Sequence, residues 1–193
     1  MRTFVALDLD DAIREKIVLF VEGVRGFAPE ARWVRPESLH VTLKFIGEKT
    51  ADTVEEIQSA LQAVSGKSFE IVFRGYGFFP SAKSARVFWI GVEGGPELGA
   101  LAASVDTALI GVGVAQEEHA YSPHLTLARG ASGAPRRIKG DRRNSQFLRL
   151  AEKLEARPAP AFGSMVAHEF CLYQSQLARG GSRYTRIGQF GLG

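Results

Sequence analysis

Apolar and polar residues alternate along Arg2 to Leu9 (RTFVALDL), and apolar residues then recur at helical spacing at Ile13, Ile17, Phe20, Val21 and Val24. The first pattern predicts a strand and the second an amphipathic helix capped by Asp10 or Asp11. A short extended piece, ARWV, and Pro36 precede a second strand, SLHVTLKFIG. The next helix, ADTVEEIQSALQAVSG, has Thr50 or Asp52 as its cap and Gly66 at its end. FEIVFRGYGFF and ARVFWIGVE read as strands joined across Pro80 and a polar turn, and Gly94-Gly95-Pro96 opens a third helix. A strand carrying His124, a basic loop, a helix from about Asn144 to Glu155 and two last strands, MVAHEFCLYQSQL and SRYTRIGQF, complete the chain.

Strands and helices interleave, yet several neighbouring strands are linked by short turns. The pattern therefore predicts α+β with antiparallel pairing and not a doubly wound parallel sheet. No linker or low-complexity tract divides the 193 residues, a length that suits one domain or two small lobes.

One frame is written twice. Leu39–Leu43 reads LHVTL and Pro123–Leu127 reads PHLTL, so two of the four histidines occupy the same His-apolar-Thr-Leu setting 84 positions apart. On a strand, His40 and Thr42 share one face and Val41 and Leu43 the other, and the same holds for His124 and Thr126. A lone strand histidine is usually a hydrogen-bonded filler, but packing has no need to repeat a polar pair inside one apolar frame. Two lobes facing each other across a groove would bring two imidazoles and two hydroxyls together. Displacement at phosphorus needs such a set: a base for the incoming oxygen, an acid for the departing one, and donors for the nonbridging oxygens. His119 and His168 lack the frame and read as surface or core residues.

Composition narrows the classes further. A hydrophobic fraction of 45% and a charged fraction of 23% suit a folded, soluble protein. No apolar run reaches spanning length, the N-terminus does not read as a signal peptide, and the expected location is the cytoplasm. The single Cys171 rules out an internal disulfide and offers no thiolate zinc site, so neither metal nor cofactor is expected. Charge is uneven: 12 Lys/Arg against 17 Asp/Glu up to Ala128, net −5, and 12 against 4 from Arg129 onward, net +8. The basic part is densest at Arg136–Arg143 (RRIKGDRR), a run that attracts phosphate backbones or forms a solvated loop.

The sequence resembles the 2H phosphoesterases, specifically the bacterial RNA 2′,3′-cyclic phosphodiesterases, also called 2′-5′ RNA ligases. HVTLKFIGE (His40–Glu48) and YSPHLTLAR (Tyr121–Arg129) are similar to the two signature motifs. RTFVALDL, FFPSAKSARVFWIGV and YTRIGQF resemble the family's first strand, middle hairpin and ending, so the likeness spans nearly the whole chain. It implies a single domain over residues 1–193, made of two intertwined, pseudo-symmetric lobes of antiparallel sheet with outer helices and a central groove. It also implies metal-independent hydrolysis of RNA 2′,3′-cyclic phosphate ends, tRNA fragments among them, to 2′-phosphates by a monomer. Reversible 2′-5′ ligation would be a secondary activity. By analogy His124 is the general base, His40 the general acid, Thr42 and Thr126 hold phosphate oxygens, Arg129 pairs with the phosphate and Phe45 lies against the terminal base. Strict alternation puts Phe45 and Arg129 on the face away from the histidines, so these last two roles require the strands to end, twist or bulge just before them.

Two other readings compete. RGYGFFPS (Arg74–Ser81) matches the start of an RNA-recognition signature and would make the chain a non-catalytic RNA-binding module. Phe79, Pro80 and Ser81 depart from that signature, which favours a glycine-relieved strand with core aromatics. Small cyclic nucleotides are the alternative substrate for the same fold.

Overall fold

The computed structural model describes residues 1–130, 142–178 and 181–193. Most of the basic run, Arg136 to Asp141, lies outside the described residues. The strands are β1 (Arg2–Leu7), β2 (Arg32–Trp33), β3 (Val41–Glu48), β4 (Phe69–Phe79), β5 (Val87–Glu93), β6 (His124–Arg129), β7 (Ala161–Ala167), β8 (Glu169–Ala178) and β9 (Gly181–Gly191). Four helices accompany them: α1 (Asp11–Val24), α2 (Ala51–Gln62), α3 (Gly95–Ile110) and α4 (Arg142–Glu155).

The strands form two sheets, ordered β3-β1-β8-β9 and β2-β6-β5-β4-β7, with every pairing antiparallel. The fold is α+β, as the interleaved pattern predicts. Each sheet places one His-x-Thr strand beside a long antiparallel partner, β3 on β1 and β6 on β5. The chain visits the second sheet twice, briefly for β2 between β1 and β3 and then for β4 to β7, and returns for β8 and β9, so its first and last strands share a sheet.

Helix starts follow local chemistry. The Thr50 hydroxyl accepts from the Thr53 backbone N–H at 3.2 Å and fixes the start of α2. Helix α1 begins at Asp11, with Asp10 at the cap position but without a side-chain cap bond. Inside, Phe73, Phe88, Phe147 and Phe170 are fully buried, and each contributes roughly 1.5–3 kcal/mol of transfer free energy.

Two expectations are corrected. Helix α2 ends at Gln62, short of Gly66, and the chain tightens there through Ala63 and Val64 bonding back to Ala60 and Leu61. MVAHEFCLYQSQL is not one strand: it divides at His168, with β7 in the second sheet and β8 in the first. The His168 carbonyl accepts from Leu192 N–H at 2.7 Å, which holds the crossing point.

Both motif strands bulge at the same place. On β1, Phe4 faces Phe45 and Ala6 faces Thr42, leaving Leu43 as an extra residue in β3. On β5, Val87 faces Arg129 and Trp89 faces Thr126, leaving Leu127 as an extra residue in β6. Residues two apart share a face, and so do directly opposed residues, so Phe45 joins Thr42 and Arg129 joins Thr126. The strict alternation that separated them fails at Leu43 and Leu127.

Candidate active site

His40 stands just ahead of β3, after the short 3₁₀ turn Pro36–Ser38, and His124 opens β6. Their imidazoles are held alike. His40 Nδ1 lies 2.7 Å from the Ser38 carbonyl and His124 Nδ1 lies 2.8 Å from the Ser122 carbonyl, two residues upstream in each case. A carbonyl only accepts, so Nδ1 carries the proton in both neutral rings and Nε2 is left for chemistry.

Each imidazole also has an aromatic seat. Phe4 and Tyr184 pack on His40 with ring centroids 4.8 Å and 5.3 Å away. Phe79 meets His124 edge-on at 5.0 Å, and Trp89 lies 6.3 Å from it. Trp89 lies across Gly77, where a Cβ would stand 2.1 Å from the indole ring. The aromatics of RGYGFFPS are thus accounted for: Tyr76 packs on Phe78 and Phe88, Phe78 is buried against Phe88, and Phe79 buttresses His124.

The half-sites are stitched together. The Tyr121 hydroxyl, three residues before His124, donates to the Thr42 carbonyl at 2.9 Å. That bond joins the segment leading into the second motif to the strand of the first. Burial holds the His40 imidazole below its ordinary value; the Ser38 carbonyl and Asp8 raise it, while Arg129 and His124 add to the lowering.

Behind His40, Asp8 accepts from the Tyr173 hydroxyl and pairs with Arg186 at 2.5 Å. Burial first, then the bond to Asp8, pushes the Tyr173 phenol well above its ordinary value. Burial likewise raises the Cys171 thiol to about 11, so it stays protonated and inert within β8, packed with Phe4, Ala6 and Tyr173.

The structure sets His40, Thr42 and Phe45 on one face of the first sheet, and His124, Thr126 and Arg129 on one face of the second. Phe45 is 59% exposed with its ring 6.1 Å from Phe4, and Arg129 is exposed with no carboxylate paired to it among the described residues. Sequence reasoning missed Phe4, Asp8, Phe79, Trp89, Tyr173 and Tyr184. All six lie far from the motifs in the chain, and only strand pairing reveals their nearness. His119 and His168 are exposed. Among the described residues no three His, Cys, Asp or Glu side chains converge to hold a metal ion, and no helix is long and apolar enough to cross a membrane.

Two antiparallel sheets, each carrying one His-x-Thr strand, are the architecture expected of a 2H phosphoesterase. The family described as LigT like Phosphoesterase matches residues 7–89 and 90–184, one motif in each stretch, and the chain belongs to it. An RNA 2′,3′-cyclic phosphodiesterase of Archaeoglobus fulgidus is 35% identical over 190 residues, covering 98% of this chain and 99% of that one. Its namesake in Escherichia coli K12 is 32% identical over 200 residues, covering 99% and 96%. A crystal structure of E. coli LigT complexed with 3′-AMP superposes with a TM-score of 0.77 at 29% identity, covering 99% of this chain and 97% of that one.

Proposed function

We propose that this protein hydrolyses RNA 2′,3′-cyclic phosphate ends to 2′-phosphates by paired-histidine catalysis without a metal. The observation that carries the reading is the matched tethering of His40 and His124, each through Nδ1 to a carbonyl two residues upstream, at 2.7 Å and 2.8 Å. Both rings thereby offer Nε2 to one site.

In this scheme His124 Nε2 takes a proton from water as its oxygen bonds to phosphorus. The P–O3′ bond breaks, and His40 Nε2–H delivers its proton to O3′. Thr42 and Thr126 donate to the nonbridging oxygens, Arg129 grips them with a planar fork, and Phe45 lies against the terminal base. An RNA 5′-hydroxyl in place of water would leave a 2′-5′ linkage by the same two proton transfers. Both half-sites come from one chain, so a monomer suffices, and the expected setting is the cytoplasm. The names of the relatives and the nucleotide-bound LigT structures support an RNA-related substrate.

The test is a short RNA with a 2′,3′-cyclic phosphate end, incubated in EDTA with the native protein, His40→Ala and His124→Ala, followed by assignment of the product isomer. Conversion to the 2′-phosphate, reduced about 10²–10⁴-fold in each variant, is the expected result. RNA bound but unchanged would make the chain a binding module. Turnover confined to 2′,3′-cyclic mononucleotides would move the substrate to small nucleotides.

A further inference from the structure

Strand β2 is only two residues long, yet it sets Arg32 directly opposite Arg129 on β6. Directly opposed residues share a face, and like charges in that position destabilise a sheet. Both side chains are exposed, and no carboxylate is paired with either among the described residues. A cation pair of this kind calls for an anion.

Arg32 is also oriented. Its Nε and Nη2 donate to the Gly130 carbonyl at 3.3 Å and 3.1 Å, which occupies one edge of the guanidinium. The other edge, between Nη1 and Nη2, is left open for a bidentate acceptor. Gly130 lies one residue beyond Arg129 and farther along the chain from His124, so the Arg32 head is anchored on the far side of Arg129 from the reacting centre. The reacting phosphate already has Thr42, Thr126 and Arg129 in the proposed scheme.

Resting on the RNA-end reading of the site, we infer that Arg32 binds a second phosphate, the one that joins the terminal nucleotide to the rest of the RNA. Arg32 then distinguishes an RNA end from a mononucleotide: Arg129 serves the phosphate that reacts, and Arg32 serves its neighbour in the chain.

The experiment compares the native protein, Arg32→Ala and Arg32→Lys by calorimetric binding of two probes. One is the dinucleotide ApAp, with an internal and a 3′-terminal phosphate; the other is 3′-AMP, with the terminal phosphate alone. Arg32→Ala should weaken ApAp about tenfold and leave 3′-AMP unchanged. Its log-affinity against log-salt slope for ApAp should flatten by about 0.7, one phosphate contact on a single strand. Arg32→Lys should restore the slope but only part of the affinity, because the fork is lost. Equal weakening of both probes would assign Arg32 to the reacting phosphate and overturn the inference, as would no weakening of either. If the native protein shows this split yet converts no cyclic end, the proposed reaction falls and the Arg32 site stands.

Discussion

Lys44 Nζ lies 2.6 Å from Asp106 Oδ1, with the two side chains 5% and 16% exposed, and it also donates to the Ala115 carbonyl at 2.9 Å. Lys44 follows Leu43, the extra residue of the β3 bulge, and both point inward. Asp106 in turn accepts from the Glu117 backbone N–H at 3.2 Å and 3.3 Å. The pair thus ties the bulge that presents Phe45 to the chain that runs on to Tyr121 and Ser122. Lys44→Met should cost about 2–3 kcal/mol, since it removes the cation from a half-buried carboxylate, whereas Lys44→Met/Asp106→Leu should recover most of that loss. Denaturant titration of the three proteins checks it. A double variant as unstable as the single one would show that the ion pair does not fix the bulge.

Arg129 presents the opposite case, an exposed charge facing another charge, Arg32, across the strands. Arg129→Ala should lower kcat/KM about a hundredfold while changing stability by no more than about 0.5 kcal/mol. Parallel kinetics and thermal melts measure the two. A loss of stability in step with activity would make Arg129 a structural residue.

The legible part of this molecule was what repeats or alternates. The His-x-Thr frames, the β4–β5 hairpin and the Thr50 cap were all readable because each depends on neighbours within a few residues. The bulges at Leu43 and Leu127 were not, because an extra residue in a strand is defined against its partner and leaves no local mark. The division at His168 was hidden for a related reason: no Gly or Pro interrupts Met165–Leu177, and only the Leu192 contact shows where the chain changes sheets. The seats of the histidines, Phe4, Tyr184 and Trp89, are products of sheet order.

His40 gives a pH dependence with a defined sign. Its folded value lies below the ordinary 6.5, chiefly through burial, so the unfolded chain binds more protons between the two values. The corresponding stability is present above 6.5 and is lost as pH falls from there through the folded value. Thermal melts from pH 7.5 to 4.5 should therefore fall less steeply below 6.5 for His40→Gln than for the native protein. Identical slopes would exclude His40 as the titrating group.

An anion changes that balance. Seated beside Arg129, it offsets one of the charges that lower His40 and attracts the imidazolium, so binding should bring a proton to the ring proposed as the acid. Sulfate is a suitable probe because it does not titrate near pH 7. Calorimetry in two buffers of different ionisation heat should show proton uptake on sulfate binding, absent in His40→Gln. Binding without uptake would leave His40 neutral in the complex and exchange the acid and base roles of the two histidines.

Gly77 carries the last prediction, because the seat of His124 depends on a side chain that is missing. A Cβ at this position would lie 2.1–2.7 Å from three atoms of the Trp89 indole, a rigid ring that packs on Phe79 at 5.0 Å. Phe79 is in turn the edge contact of His124. Gly77→Ala must therefore push the indole aside, at a cost of about 1–3 kcal/mol, and the shift reaches the His124 ring through Phe79. Trp89 emission should change along with a fall in kcat, and Gly77→Ala/Trp89→Leu should regain stability without regaining full turnover. If Gly77→Ala alters emission while kcat holds, His124 keeps its place by the Ser122 carbonyl alone.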